Sequence, residues 1–113
     1  MSEGAFTVPA GAYHYVKFTA PAGATNVKLQ GHFTATGGSG NDIEVWLVTE
    51  DGFTNWQNGH AATTFYNSGR VTQDALNASL PGTGTYYLVF NNKFSFLSPK
   101  AVQANMSLSF YAR

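Results

Sequence analysis

With 113 residues, the chain has the size of one domain, and we expect a single core spanning residues 1–113. Six basic and six acidic residues cancel, and only 11% of the residues are charged, so no basic surface of the kind that binds nucleic acid is expected. Cysteine is absent, which excludes disulfides, thiolate catalysis and Cys-ligated zinc.

Apolar and polar residues alternate through most of the chain, between clusters of Gly, Pro, Asn and Asp, as is typical of short strands with one buried face. Val27, Leu29 and Phe33 give the clearest example, whereas the nearly continuous apolar run 86–91 predicts a central strand covered on both faces. No segment predicts a helix. The predicted strands lie at about 6–8, 13–20, 27–35, 43–49, 63–66, 69–72, 75–80, 86–91 and 101–111. This spacing favours an all-β, antiparallel β-sandwich of about eight strands with jelly-roll rather than meander connectivity.

Residues 50–61 are predicted to form the longest irregular loop, and loops with large aromatic side chains are frequent binding sites. Trp46 is expected on the outer face of the preceding strand, where an apolar ring needs a cover or a ligand. The candidate binding surface therefore consists of Trp46, Asp51, Phe53, Trp56, His60 and Tyr66.

Three segments resemble GOLD (Golgi dynamics) domains: GNDIEVWL at 40–47, YNSGRVT at 66–72 and GTYYLVFNNKFSFLSPKAV at 84–102. In that family a Gly-Thr-Tyr-Tyr type strand ends in an Asp- or Asn-rich turn, followed by an aromatic-Ser-aromatic step and a Lys before the final strand. These features correspond here to 91–92, 94–96 and Lys100. The resemblance implies a jelly-roll-like sandwich that mediates protein interaction or cargo recognition, and it implies no catalytic residues. The cysteine pair, coiled coil and membrane span of some members have no counterpart here, so a role in vesicle trafficking does not follow.

Two clusters of polar residues flank the strand 43–49 and could together supply oxygen ligands to calcium. The first consists of Asn41, Asp42 and Glu44, and the second of Glu50 and Asp51. Calcium takes six to eight oxygen ligands, and neither group follows the EF-hand order. Turn formation by these side chains is the favoured interpretation, so no metal or cofactor is predicted.

No catalytic arrangement emerges from the sequence. There is no Gly-x-Ser-x-Gly elbow, and His14, His32 and His60 lack the spacing of a zinc pair. We therefore predict a non-enzymatic module that binds another protein or a second copy of itself, through an edge strand or the 50–61 loop. One alternative is a carbohydrate-binding module that uses the loop aromatics, and another is a structural subunit or accessory domain of a larger protein.

The cellular compartment stays open. No run is apolar enough for a membrane span, and the first twelve residues lack the basic and apolar regions of a secretory signal. If the protein is exported, this sequence starts after its signal.

Overall fold

The computed structural model describes residues 4–37, 43–60, 64–93 and 99–111. Within these ranges the elements are β1 (Gly4–Val8), β2 (Tyr13–Ala20), β3 (Thr25–Thr36), β4 (Ile43–Thr49), α1 (Glu50–Gln57), β5 (Tyr66–Val71), β6 (Gln73–Ser79), β7 (Gly84–Asn91) and β8 (Lys100–Tyr111). Residues 38–42 and 94–98 lie outside the described ranges. They include Asn41 and Asp42 of the calcium alternative and the aromatic-Ser-aromatic step.

The strands form two four-stranded antiparallel sheets. The order is β1-β8-β3-β6 in the first, here called the polar sheet, and β2-β7-β4-β5 in the second, the aromatic sheet. The chain runs out through β1 to β4 and returns through β5 to β8, so that β1 pairs with β8, β2 with β7, β3 with β6 and β4 with β5. This is jelly-roll connectivity, and it confirms the predicted fold class.

The main core lies between the two sheets and follows the period-two pattern of the sequence. Leu29 and Phe33 of β3 are fully buried, whereas the polar residues that alternate with them are exposed. Strand β7 lies between β2 and β4 and is buried on both faces: Leu88 and Phe90 belong to the main core, and Val89 belongs to a second cluster outside the sandwich. The prediction of a central, doubly covered strand is confirmed.

A buried asparagine ties the end of β7 to the corner between β1 and β2. Asn92 is fully buried, and its Nδ2 donates hydrogen bonds to the carbonyl oxygens of Val8 and Pro9, both at 3.2 Å. Its backbone N–H donates to the carbonyl of Ala12, and its own carbonyl accepts from the N–H of Gly11. These bonds satisfy backbone groups that the corner would otherwise bury unpaired.

The prediction that no segment forms a helix is wrong, and so is the irregular loop predicted for 50–61. Thr49 caps a helix, because its Oγ1 accepts a hydrogen bond from the N–H of Gly52 at 3.0 Å, and two acidic residues occupy the first turn. Gly59 follows the helix with a φ of 79°, a left-handed conformation typical of the residue after a helix end.

The two strands predicted at 63–66 and 69–72 are one strand, β5, which begins at Tyr66. Residues 61–63 lie outside the described ranges. Between the two predicted strands, Ser68 Oγ accepts a hydrogen bond from the N–H of Val45 at 2.9 Å, where the register between β4 and β5 shifts. The strand therefore continues through a bulge.

Candidate functional site

Helix α1 packs on the outer face of the aromatic sheet and carries two predicted site residues onto it. Phe53 is 5% exposed, and its ring stacks on that of Tyr87 with centroids 4.2 Å apart and an angle of 10° between the planes. Trp56 is half-buried and meets Trp46 edge-on at 5.3 Å. The spacing i, i+3 places Phe53 and Trp56 on one side of the helix, above Val48 and Val89.

Two tyrosines of β2 extend this cluster to the edge of the sheet. The Tyr13 ring lies edge-on to Trp56 at 4.8 Å, and the Tyr13 hydroxyl accepts a hydrogen bond from Gln57 Nε2 at 2.9 Å. Tyr15 is 47% exposed, although its ring lies 5.1 Å from that of Phe53. We name the aromatic patch by its members: Tyr13, Tyr15, Phe53, Trp56 and Tyr87.

Sequence reasoning missed Tyr13 and Tyr15, because the pattern of β2 identifies Val16 and Phe18 as its inward side. The register with β7 shows the reason. Tyr15 pairs with Val89, whose side chain belongs to the outer cluster, so Tyr15 also points outward. Two outward aromatics on one strand were the signal that could have found the patch.

Charged side chains border the aromatic patch. Lys93 Nζ lies 5.3 Å from the centre of the Trp56 ring, a cation–π arrangement. Lys17 follows Tyr15 on the same face and lies 3.9 Å from the Glu50 carboxylate. Both members of that ion pair are more than half exposed, so it contributes little to stability. The patch therefore has an apolar centre and a charged rim.

Trp46 is covered, as its apolar ring on an outer face requires, because Trp56 and the rest of helix α1 lie over it. Its indole Nε1 is buried, and no hydrogen-bond partner for it is found in the described parts of the chain. A buried donor without a partner costs about 1–3 kcal/mol. The packing of α1 on the sheet must offset this cost.

Tyr66 does not join the other predicted site residues. It pairs with Leu47 and packs against the main core, on the opposite face of the sheet from Trp46. Its hydroxyl donates a short hydrogen bond to the Asp74 carboxylate. Burial, followed by the bond to Asp74 and the charge of Asp74, raises the pKa of Tyr66 well above the usual value. The phenol therefore stays protonated, as a structural donor.

The last two predicted residues, Asp51 and His60, are exposed. His60 comes after the helix, where its backbone N–H donates to the carbonyl of Asn55 at 2.8 Å. Of the six predicted residues, the fold thus brings together Trp46, Phe53 and Trp56, leaves Asp51 and His60 on the surface nearby, and places Tyr66 elsewhere.

The polar residues considered for metal binding have other partners or positions. Glu44 Oε1 accepts a hydrogen bond from Asn91 Nδ2 at 3.0 Å, and Glu44 pairs in register with Arg70 of β5. The His14 ring stacks on Phe6 at 4.2 Å, whereas His32 lies on the exposed face of the other sheet. Among the described residues, no group of three or more His, Asp or Glu side chains is close enough to hold a metal ion.

The chain matches no protein-family model and no curated protein. Over the described ranges, no helix has the length and apolar character needed to cross a membrane. The GOLD resemblance accordingly rests on the sequence segments that suggested it.

Proposed function

We propose that the protein is a non-catalytic module that binds another protein through the aromatic patch. The observation that carries the proposal is Tyr15. Its ring is 47% exposed yet lies against Phe53 at 5.1 Å and Tyr87 at 5.4 Å. A ring that already packs against two others loses little conformational freedom on binding, and rigid aromatic side chains supply much of the energy at protein interfaces.

The surroundings of Tyr15 support a protein partner. Lys17 and Glu50 form an exposed, charged border on one side, and Lys93 lies beside Trp56 on the other. An apolar centre with a polar rim is the usual arrangement of protein-binding surfaces. The GOLD resemblance of the sequence implies the same class of function.

A carbohydrate platform built from the aromatics of the 50–61 segment has less support. A sugar ring stacks on an open aromatic face, but the face of Phe53 lies on Tyr87, and Lys93 lies over the ring of Trp56. The contacts of these two rings are thus contacts within the fold. Tyr15, at the edge of the cluster, presents its surface outward, which suits an irregular apolar protein surface.

The test places a photo-crosslinking amino acid at position 15 and, as a matched control, at position 105 on the opposite sheet. Both positions are exposed and lie in strands. We expect a defined protein adduct in the native host from position 15 and none from position 105. The partner is then purified, and its dissociation constant is measured with the unsubstituted protein.

The Tyr15→Ala variant should weaken that complex at least about tenfold, the effect of losing one aromatic hot spot, whereas Tyr15→Phe should preserve it. Circular dichroism checks that both variants stay folded. Equal adducts from both positions, or an affinity unchanged in Tyr15→Ala, would remove the aromatic patch as the binding surface. An adduct of twice the chain mass identifies a second copy and contradicts a different protein as partner.

A further inference from the structure

The outer face of the polar sheet is built from uncharged amides and hydroxyls. Its outward positions on β3, β6 and β8 alternate with the buried ones and include no acidic residue. Lys28 and His32 are the basic residues at these positions. The amides are Gln30, Gln73, Asn77, Gln103 and Asn105. Such a face offers many donors and acceptors and almost no net field.

One end of this face holds a groove next to an exposed aromatic ring. The groove has a volume of about 420 Å³, within the range of roughly 300–1,000 Å³ typical of ligand sites. Tyr111 is 68% exposed, the largest exposure among the large hydrophobic residues described. The lining residues are Asn26, Lys28, Gln30, Ser109, Phe110 and Tyr111.

The backbone of β3 is irregular beside this groove. The pairing of β3 with β8 shifts between Thr25 and Lys28, and Asn26 adopts a left-handed conformation with a φ of 52°. Non-glycine residues rarely adopt this conformation. The irregularity separates the Thr25–Tyr111 pair from the regular ladder, which resumes with Lys28 and Ser109.

At the border of the groove, a hydrogen bond orients a pair of amide side chains. Gln30 Nε2 lies 3.3 Å from Asn77 Oδ1, and both side chains are exposed. This bond uses one N–H of Gln30 and one lone pair of Asn77. The Gln30 oxygen and the Asn77 N–H groups can therefore bond to a ligand that offers adjacent donors and acceptors, as neighbouring sugar hydroxyls do.

The face continues past the amide pair. Two further depressions, of about 360 and 340 Å³, follow along β3: the first is lined in part by His32 and Thr34, and the second by Thr34 and Thr36. The first also has Asp74 in its lining, but the carboxylate of Asp74 accepts the hydrogen bond of Tyr66. Together with the groove they extend along the outward side of β3. Their arrangement in a row suits a chain ligand better than a single ring.

We infer that the outer face of the polar sheet is a second binding site, which takes a neutral oligosaccharide chain. Tyr111 would stack on one sugar unit, and Gln30 with Asn77 would bond to the hydroxyls of the next. The lack of an outward acid and the small number of cations disfavour charged polymers. Strands β6 and β8 carry serine, a residue that is depleted at protein interfaces. This composition disfavours a protein partner for the polar sheet, in contrast to the aromatic patch.

Binding is tested by isothermal titration with four neutral hexasaccharides: cellohexaose, xylohexaose, mannohexaose and maltohexaose. A hexasaccharide of polygalacturonate is the charged comparator. We expect measurable affinity for at least one neutral chain and weaker affinity for the charged one. Tyr111→Ala and Gln30→Ala should each weaken the neutral complex, Tyr111→Ala by about tenfold. Both positions are exposed, so folding should be unaffected.

Tyr15→Ala, on the opposite face, is the matched control and should leave sugar binding unchanged. No heat with any of the four neutral chains overturns the inference, as does binding that neither Tyr111→Ala nor Gln30→Ala weakens. A protein adduct from position 105 in the crosslinking experiment also contradicts it, because that face would then belong to a protein. The inference does not depend on the proposed function. Measuring both protein binding and sugar binding in Tyr15→Ala and in Tyr111→Ala shows which of the two proposals fails.

Discussion

The aromatic sheet has tyrosine, tryptophan and valine on its outer face and a helix packed over them, whereas the outer face of the polar sheet consists of exposed amides and hydroxyls. The difference follows from the cost of exposing apolar surface to water, about 25 cal/mol for each Å². A face that carries Trp46, Val48 and Val89 requires a cover, and the eight residues of α1 supply it. The cover ends before Tyr15, and this incomplete burial makes the edge of the aromatic patch available to a partner.

The largest expected effect comes from removing the anchor of the helix. In Phe53→Ala the ring that stacks on Tyr87 is lost, and substitutions of this type in buried sites cost about 3–5 kcal/mol. Because Phe53 lies in a small cluster at the periphery, we expect a loss of about 3 kcal/mol in the free energy of unfolding, measured by urea denaturation.

The control for Phe53→Ala is Asn55→Ala, which changes an exposed residue of the same helix and should shift the free energy of unfolding by less than about 0.5 kcal/mol. If the two variants have equal stability, α1 does not hold to the sheet through Phe53. The helix would then not act as a packed cover of the aromatic sheet, and the two sheets would not differ in this respect.

A smaller effect is expected at Trp46, where two substitutions separate ring packing from the buried N–H. Trp46→Ala removes both, so relief of the unpaired donor offsets part of the lost packing, and the cost should be about 2 kcal/mol. Trp46→Phe keeps an aromatic ring and removes the donor that lacks a partner, so the lost packing is largely offset and the net change should stay within about 1 kcal/mol. A loss of more than about 1 kcal/mol in Trp46→Phe would contradict an indole N–H without a partner. Equal losses in both variants would mean that packing of the ring at position 46 contributes nothing to stability.

The sequence alone predicts much of the sandwich, because period-two alternation records which side of each strand is buried. The strands predicted at 13–20 and 43–49 match β2 and β4 residue for residue. Helix α1 was missed since it is short and contains Gly52, although Thr49, the acids after it and Gly59 are recognisable signals of a helix start and end.

The candidate site was harder to predict than the fold. Alternation separates inward from outward residues, but it does not show that Phe53 would close over Tyr87 or that Tyr66 would face the core. Those positions depend on the helix, whose first turn Thr49 caps, and on the bulge at Ser68, where a side chain bonds to the backbone of the neighbouring strand. The predicted set therefore mixed residues of the two faces of one sheet.

The placement of Tyr66 on the core side can be tested by the pH dependence of stability, because it raises the pKa of the Tyr66 hydroxyl. Its folded-state pKa is raised above the value of the unfolded chain, about 10, so above that pH the unfolded chain releases a proton that the folded protein retains. Stability from this group is thus fully present below pH 10 and declines as the pH rises further. The slope is at most about 1.4 kcal/mol per pH unit, and less for a half-buried group.

Comparison with Tyr66→Phe isolates this proton, because the other five tyrosines are common to both proteins. Urea denaturation between pH 8 and pH 11 should show the unsubstituted protein more stable at pH 8, with its advantage shrinking above pH 10. A constant difference across this range would mean that Tyr66 is solvated like an ordinary surface tyrosine.

The smallest effect is expected on the open face, where threonine can be introduced at matched positions of the two sheets. Asn105 lies in the middle of β8, exposed and opposite His32 of β3, and threonine fits a strand better than asparagine. Asn105→Thr should therefore be neutral or stabilise the protein by up to about 0.5 kcal/mol. Tyr15→Thr should instead cost about 1 kcal/mol, because it removes ring contacts with Phe53 and Tyr87. If threonine stabilises the protein at position 105 and destabilises it at position 15, the outer side chains of the polar sheet are not needed for stability. They are then available to bind a ligand.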